Sequence, residues 1–101
     1  MFDKLLEAQK KAEEIKNRLD TIAVNAEVEG GKISVTSTAN KALTAIHIDP
    51  EFLKDADKEE LEELLLTAIN KVLQQAEQVS QTEMQAATRD MMGGLGNIFG
   101  K

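Results

Sequence analysis

The chain has 101 residues, a formal net charge of −6, no cysteine and only three aromatic residues, Phe2, Phe52 and Phe99. Such a chain makes one domain with a modest core of Leu, Ile, Val and Ala. Disulfides, thiolate zinc sites and thiol catalysis are excluded, and so is a row of aromatic rings on which single-stranded bases could stack. No apolar run approaches the roughly 18 residues of a membrane span, and the N-terminus turns charged at Asp3 and Lys4, so the expected location is a reducing cytoplasm without membrane contact.

The first element is expected to be a helix over about Asp3 to Ala23. Leu5, Ala8, Ala12, Ile15, Leu19 and Ile22 follow an unbroken alternation of threes and fours, the spacing of a coiled-coil seam. With Leu5 as heptad position a, the cations Lys4, Lys11 and Arg18 all fall at position g along one edge of the seam. Glu7, Glu13, Glu14 and Asp20 fall at b and c on the back, and Gln9 and Lys16 at e. Lys10 and Lys16 extend the positive side in part. A bland account is open too, in which these cations face water or meet acids on another helix.

Val24, Ala26 and Val28 then alternate with Asn25, Glu27 and Glu29. After Gly30-Gly31, Ile33 and Val35 alternate with Ser34 and Thr36. This predicts a β-hairpin with one wet face, its two-residue primed turn supplied by the glycines. A second reversal near Thr38 to Ala42 leads into Leu43-Thr-Ala-Ile-His-Ile, whose apolar parity shifts between Leu43 and Ile46 and so predicts a β-bulge. Asp49-Pro50 ends that strand.

From about Asp57 to Asp90 no Pro or Gly interrupts the sequence, and Leu61, Leu65, Ala68, Ile69, Val72, Ala76 and Val79 mark one helical face. Asp57 is the expected N-cap, with Glu60 completing a capping box. Leu65, Ile69, Val72 and Ala76 are the expected core or dimer face. A helix of some 34 residues would reach about 50 Å, longer than a compact domain of this size, so part of it must project or meet a second copy. Residues 93–101 read as a flexible Gly-rich tail to a single α+β domain over 1–92, with Leu95, Ile98 and Phe99 available to dock on a partner. Gly94-Leu-Gly96 is not a phosphate loop, because it follows no strand and opens no helix.

Nothing here assembles chemistry. His47 is the single histidine and has no nucleophile or second ligand spaced to work with it. The pairs Glu59-Glu60 and Glu62-Glu63 suit a helix start, where acids complement the macrodipole. No enzyme, cofactor, metal site or small-molecule substrate is expected. The net charge is a weak veto against nucleic acid, because Glu51 to Leu65 carries seven acids and two bases whereas Asp3 to Ala23 balances five against five.

Several runs, taken in order, are specific: Ile46-His-Ile-Asp-Pro50, the Leu61-Glu-Glu-Leu-Leu helix start, Thr67-Ala-Ile-Asn-Lys-Val72, and Glu83-Met84 followed by Gly93-Gly94. With the order helix, three-stranded antiparallel meander, long helix, they resemble the YbaB/EbfC nucleoid-associated proteins over nearly the whole chain. The resemblance implies a tweezer-like α+β homodimer that binds double-stranded DNA with limited sequence preference and contributes to nucleoid organisation. Two departures stand out: the Gly- and Met-rich segment that often precedes the first helix is reduced to Met1-Phe2, and Thr38-Ala-Asn-Lys41 replaces the usual Asn-Gly turn. The family carries no catalytic motif and no sharp DNA-contact signature, so the expected contact residues, Lys4, Lys11 and Arg18 with Lys10 and Lys16, rest on the charge pattern alone. The competing expectation is a small acidic dimeric adaptor or chaperone that holds a peptide or partner protein.

Overall fold

In the computed structural model, which describes the backbone of residues 2–99 and the side chains of residues 3–89, six main elements follow one another. They are α1 (Phe2–Asp20), β1 (Ala23–Val28), β2 (Ile33–Thr38), β3 (Leu43–Ile48), α2 (Pro50–Asp55) and α3 (Lys58–Phe99). The strands form one antiparallel sheet in the order β1-β2-β3. The chain is therefore α+β, as the patterning requires.

The core lies between α3 and one face of the sheet. Ala68, Val72 and Ala76 are fully buried against Val24, Ala26, Ile33 and Val35, with Leu61, Leu65, Ile69 and Val79 packed at the margin. The face expected on α3 is thus a core face within one chain, and small residues at 68 and 76 let the helix sit close on the strands. Beyond Val79 the helix runs on without the sheet. At about 1.5 Å per residue its 42 residues reach about 63 Å, and the molecule measures 65 × 26 × 17 Å. Its radius of gyration is 19.4 Å, against about 13 Å for a compact domain of this length. Helix α3 passes the expected end at Asp90 and continues through Gly93, Gly94 and Gly96 to Phe99. The docking expected of Leu95, Ile98 and Phe99 concerns side chains outside the described residues.

The hairpin turn is of the primed kind. The Lys32 N–H donates to the Glu29 carbonyl at 3.3 Å across Gly30 (φ 64, ψ 27) and Gly31 (φ 92). Glu29 is also left-handed at φ 54, so the ladder stops one pair early, at Val28 opposite Ile33. A Cβ on Gly31 would need that strained φ and would stand 3.4 Å from the Glu27 carboxylate. Gly31→Ala is therefore expected to cost on the order of 1 kcal/mol, read as a lowered midpoint in urea at unchanged slope.

The bulge falls within the window the sequence marks: Thr36 pairs with Ala45 but Ser37 with Leu43, leaving Thr44 as the extra residue. Two elements differ from expectation. Helix α1 ends at Asp20 rather than Ala23, because Thr21 and Ile22 close it with bonds to the Arg18 and Leu19 carbonyls and Ala23 already pairs with Thr38. Asp49-Pro50 not only ends β3 but opens α2, the Asp49 carboxylate accepting the Phe52 N–H at 3.1 Å with Pro50 in the first helical turn.

Candidate nucleic-acid interface

Helix α1 is attached to the body by its C-terminal turns. Leu19 is buried, the Ala39 N–H reaches the Leu19 and Ile22 carbonyls at 3.2 and 3.0 Å, and the Asn40 amide donates to the Lys16 carbonyl at 2.9 Å and to Asp20 Oδ1 at 2.6 Å. The turn holding those two residues is itself fixed by the Thr38 hydroxyl, which accepts from the Asn40 and Ala42 N–H groups, and by Lys41 at φ 69. Sequence reasoning missed this latch, since nothing local marks Asn40 as a partner for α1.

Further out, α1 lies beside the projecting part of α3. Ile15 and Arg18 share a small cleft with Glu83, Ala86 and Ala87, and Arg18 Nε stands 2.7 Å from Glu83 Oε1. The rest of the apolar seam is open: Leu5 is 61% exposed and Ala8 and Ala12 are exposed too, as is Leu6 beside the seam.

All five candidate cations, Lys4, Lys10, Lys11, Lys16 and Arg18, are on the exposed surface of α1. Lys4, Lys11 and Arg18 recur every seventh residue, so they stand in line about 10 Å apart. The structure qualifies that line in two ways. Arg18 is engaged by Glu83, and the Lys11 ammonium lies 4.0 Å from Glu14, so acid borders the row instead of keeping wholly to the back. Lys10 and Lys16 are displaced around the helix from the row.

The densest acidic run lies elsewhere. Helix α2 starts at the Lys32 end of β2, where the Asp49 N–H donates to the Lys32 carbonyl at 2.7 Å, whereas α1 joins at the Ala39 end. The run from Glu51 to Glu63 and the cations of α1 are therefore at opposite ends of the sheet. A cleft at the acidic end is lined by Asp49, Glu51, Asp55 and Glu60, with Lys32 over the Phe52 ring at 5.7 Å. Its carboxylates would repel phosphate. Beside the sheet, Lys41 pairs with Glu77 and holds that carboxyl below the usual glutamate range, first by the hydrogen bond and then by charge. Because the folded value is depressed, the pair contributes above the ordinary glutamate pKa and its contribution is lost as pH falls through the depressed one. Among the described residues no three acids or histidines are grouped to hold a metal ion, and His47 is exposed on β3.

A family model described as the YbaB/EbfC DNA-binding family matches residues 1–91. The chain belongs to the YbaB/EbfC DNA-binding family. A nucleoid-associated protein of Flavobacterium johnsoniae is 39% identical over 98% of this chain and 94% of its own length. One from Clostridium botulinum is 42% identical over 76% of this chain and 68% of its own, and one from Afipia carboxidovorans 35% identical over 94% and 87%. The fold is shared with the crystal structure of an uncharacterised protein from Helicobacter pylori, at a TM-score of 0.63 and 24% identity over 77% of this chain and 92% of that one. Membership of the YbaB/EbfC family makes this a DNA-binding protein and not an enzyme, so the exposed cations of α1 become the residues of interest.

Proposed function

We propose that the chain acts as a homodimer that grips double-stranded DNA by its phosphates, with limited sequence preference, and contributes to nucleoid organisation or gene regulation in the cytoplasmic nucleoid. The observation that carries the reading is the exposed row of Lys4, Lys11 and Arg18 on a helix that projects from the end of the sheet opposite the acidic run. At a spacing of about 10 Å, each cation can meet a separate phosphate of the duplex backbone. Base reading has little to work with: the chain has two arginines, Arg18 and Arg89, whereas bidentate arginine is the commonest specific contact to guanine. Lysines fit a backbone clamp instead, as point charges on flexible stems.

The test is a gel-shift series with mixed-sequence duplex at several salt concentrations. Two lysines from each of two copies would neutralise about four phosphates, giving a slope of about −3.6 in log affinity against log salt and a loss of about 100-fold for a four-fold rise in salt. A slope near zero would overturn the phosphate clamp, and salt-insensitive capture of an apolar peptide would favour the adaptor reading. The Arg18–Glu83 pair supplies a second measurement. In Glu83→Gln the guanidinium is released and a nearby negative charge removed, so affinity at low salt is expected to rise several-fold and the salt slope to steepen by about 1 to 2. Unchanged binding would place Arg18 outside the interface.

A further inference from the structure

Residues 3–14 of α1 are all exposed, and among the described residues of this helix only Ile15 and Leu19 are covered. The helix that carries the cations is therefore held by its last turns alone, and what those turns touch decides where its other end points. The leverage is large. Lys4 is twelve residues from Lys16, about 18 Å along the helix, so a tilt of about 15° at the root would carry it about 5 Å, half its distance to the next cation of the row.

Most of the ties at the root make a pivot rather than a direction. Burial of Leu19 is apolar and so non-directional. The Ala39 N–H, by bonding the Leu19 and Ile22 carbonyls, fixes the point where the chain leaves the helix. The Arg18–Glu83 pair lies further along, but the arginine side chain is 71% exposed, and ion pairs open to water hold weakly. Asn40 is different. Its one amide donates to the Lys16 carbonyl at 2.9 Å and to Asp20 Oδ1 at 2.6 Å, two points a full turn apart on α1, and two such points define a direction where one would leave a hinge. Both bonds need a donor hydrogen on the same nitrogen, which an amide has and a carboxylate or hydroxyl has not.

The turn that presents Asn40 is itself built to stay still. The Thr38 hydroxyl accepts from the Asn40 and Ala42 N–H groups at 3.2 and 3.3 Å, and Ala39 is buried. Lys41 stands at φ 69 with its ammonium on Glu77 of α3, and a lysine keeps a left-handed backbone only where its surroundings fix it. The turn between β2 and β3 thus ties α3 on one side to α1 on the other. We propose that Asn40 is the positioning residue of the DNA-contacting helix: its amide sets the angle at which α1 leaves the body, and with it the register of Lys4, Lys11 and Arg18 against the phosphates. The proposal rests on the phosphate clamp proposed above and adds the residue that aims it.

Asn40→Ala separates aim from charge, because it changes none. The chain has no cysteine, so Glu7→Cys on α1 and Ser34→Cys, on the sheet face away from α3, take two spin labels. Diluted into unlabelled chain, they report by double electron-electron resonance a distance within one copy, whatever the number of copies. Asn40→Ala is expected to shift or broaden that distance by about 3 to 4 Å. In fluorescence anisotropy with mixed-sequence duplex it is expected to flatten the salt slope by about 1 to 2 and to lower affinity at low salt about ten-fold, as one lysine of each copy drops out of register. Asn25→Ala, which removes an amide bond of 2.9 Å to the Thr36 hydroxyl, should move neither reading. A wild type without a salt slope would overturn the phosphate clamp and this proposal together. A wild type with one, and a folded Asn40→Ala that matches it in distance or in binding, would overturn only the proposal. Should Asn40→Ala fail to fold, Asp20→Ala decides, cutting one of the two bonds from the exposed side of α1: lost aim weakens binding and broadens the distance, whereas the lost negative charge alone would tighten binding and leave the distance as it was.

Discussion

Val72→Asp is expected to leave the chain unfolded at room temperature. Val72 is 0% exposed, set between α3 and the sheet where Val35 and Ile33 are equally buried. A carboxylate there has neither water nor a partner, and an uncompensated buried charge costs several kcal/mol even after local relaxation. The apolar burial of the valine, about 1.5 to 3 kcal/mol, is lost as well. Together these approach the whole stability of a small domain, about 5 to 15 kcal/mol. Ile69→Asp provides the contrast. Ile69 is only half-buried at the margin of the core, so its carboxylate keeps some access to water, and the expected cost is about 1 to 3 kcal/mol in a chain that still folds. Far-UV circular dichroism during heating separates the outcomes. A cooperative transition in Val72→Asp within a few degrees of the wild type would show that α3 does not pack on the sheet through this face.

That face was legible in the sequence because a helix buried on one side repeats its apolar residues every three or four positions, and a sheet with one wet face repeats them every two. The bulge was legible for the same reason, as a break in parity between Leu43 and Ile46. The second helix was not, because Asp49-Pro50 carries two meanings: proline removes a donor from a strand, but after an aspartate it also begins a helix. The stop of α1 at Asp20 is set from afar, by the pairing of Ala23 with Thr38 and by the Asn40 bonds to Lys16 and Asp20. At the candidate site the row of cations was readable from spacing alone. The acid that engages one of them was not, since Glu83 meets Arg18 only once α1 has been laid beside α3. An apolar seam at heptad spacing likewise says that a helix could be partnered, and the open Leu5, Ala8 and Ala12 show that spacing does not say by what.

Reversing charge along the row, by Lys4→Glu, Lys11→Glu and Arg18→Glu together, is expected to abolish binding to duplex DNA at low salt while the protein stays folded. Each lost phosphate contact removes about 0.9 from the salt slope, and a glutamate in its place repels the phosphate as well, so affinity should fall more than about 100-fold. The positions are exposed, and surface substitutions of this kind usually change stability by no more than about 0.5 kcal/mol. Arg18 is the exception to watch, since a glutamate there would face Glu83 and loosen the contact between α1 and α3. The double change Lys4→Glu, Lys11→Glu avoids that and should account for most of the loss. The matched control reverses Lys54 and Lys58, which sit among acids and lie 3.7 Å from Glu51 and 3.5 Å from Glu62; binding there should change by less than about two-fold, because phosphate is already repelled at that end of the sheet. Fluorescence anisotropy with a labelled mixed-sequence duplex reads all three variants once circular dichroism has confirmed their folding. If the folded double variant binds like the wild type, the row is a solvated face and the contacts must be sought at Lys10, Lys16 or Arg89. Lys71 would be the last candidate, because moving it to DNA would break its bond to the Glu27 carbonyl.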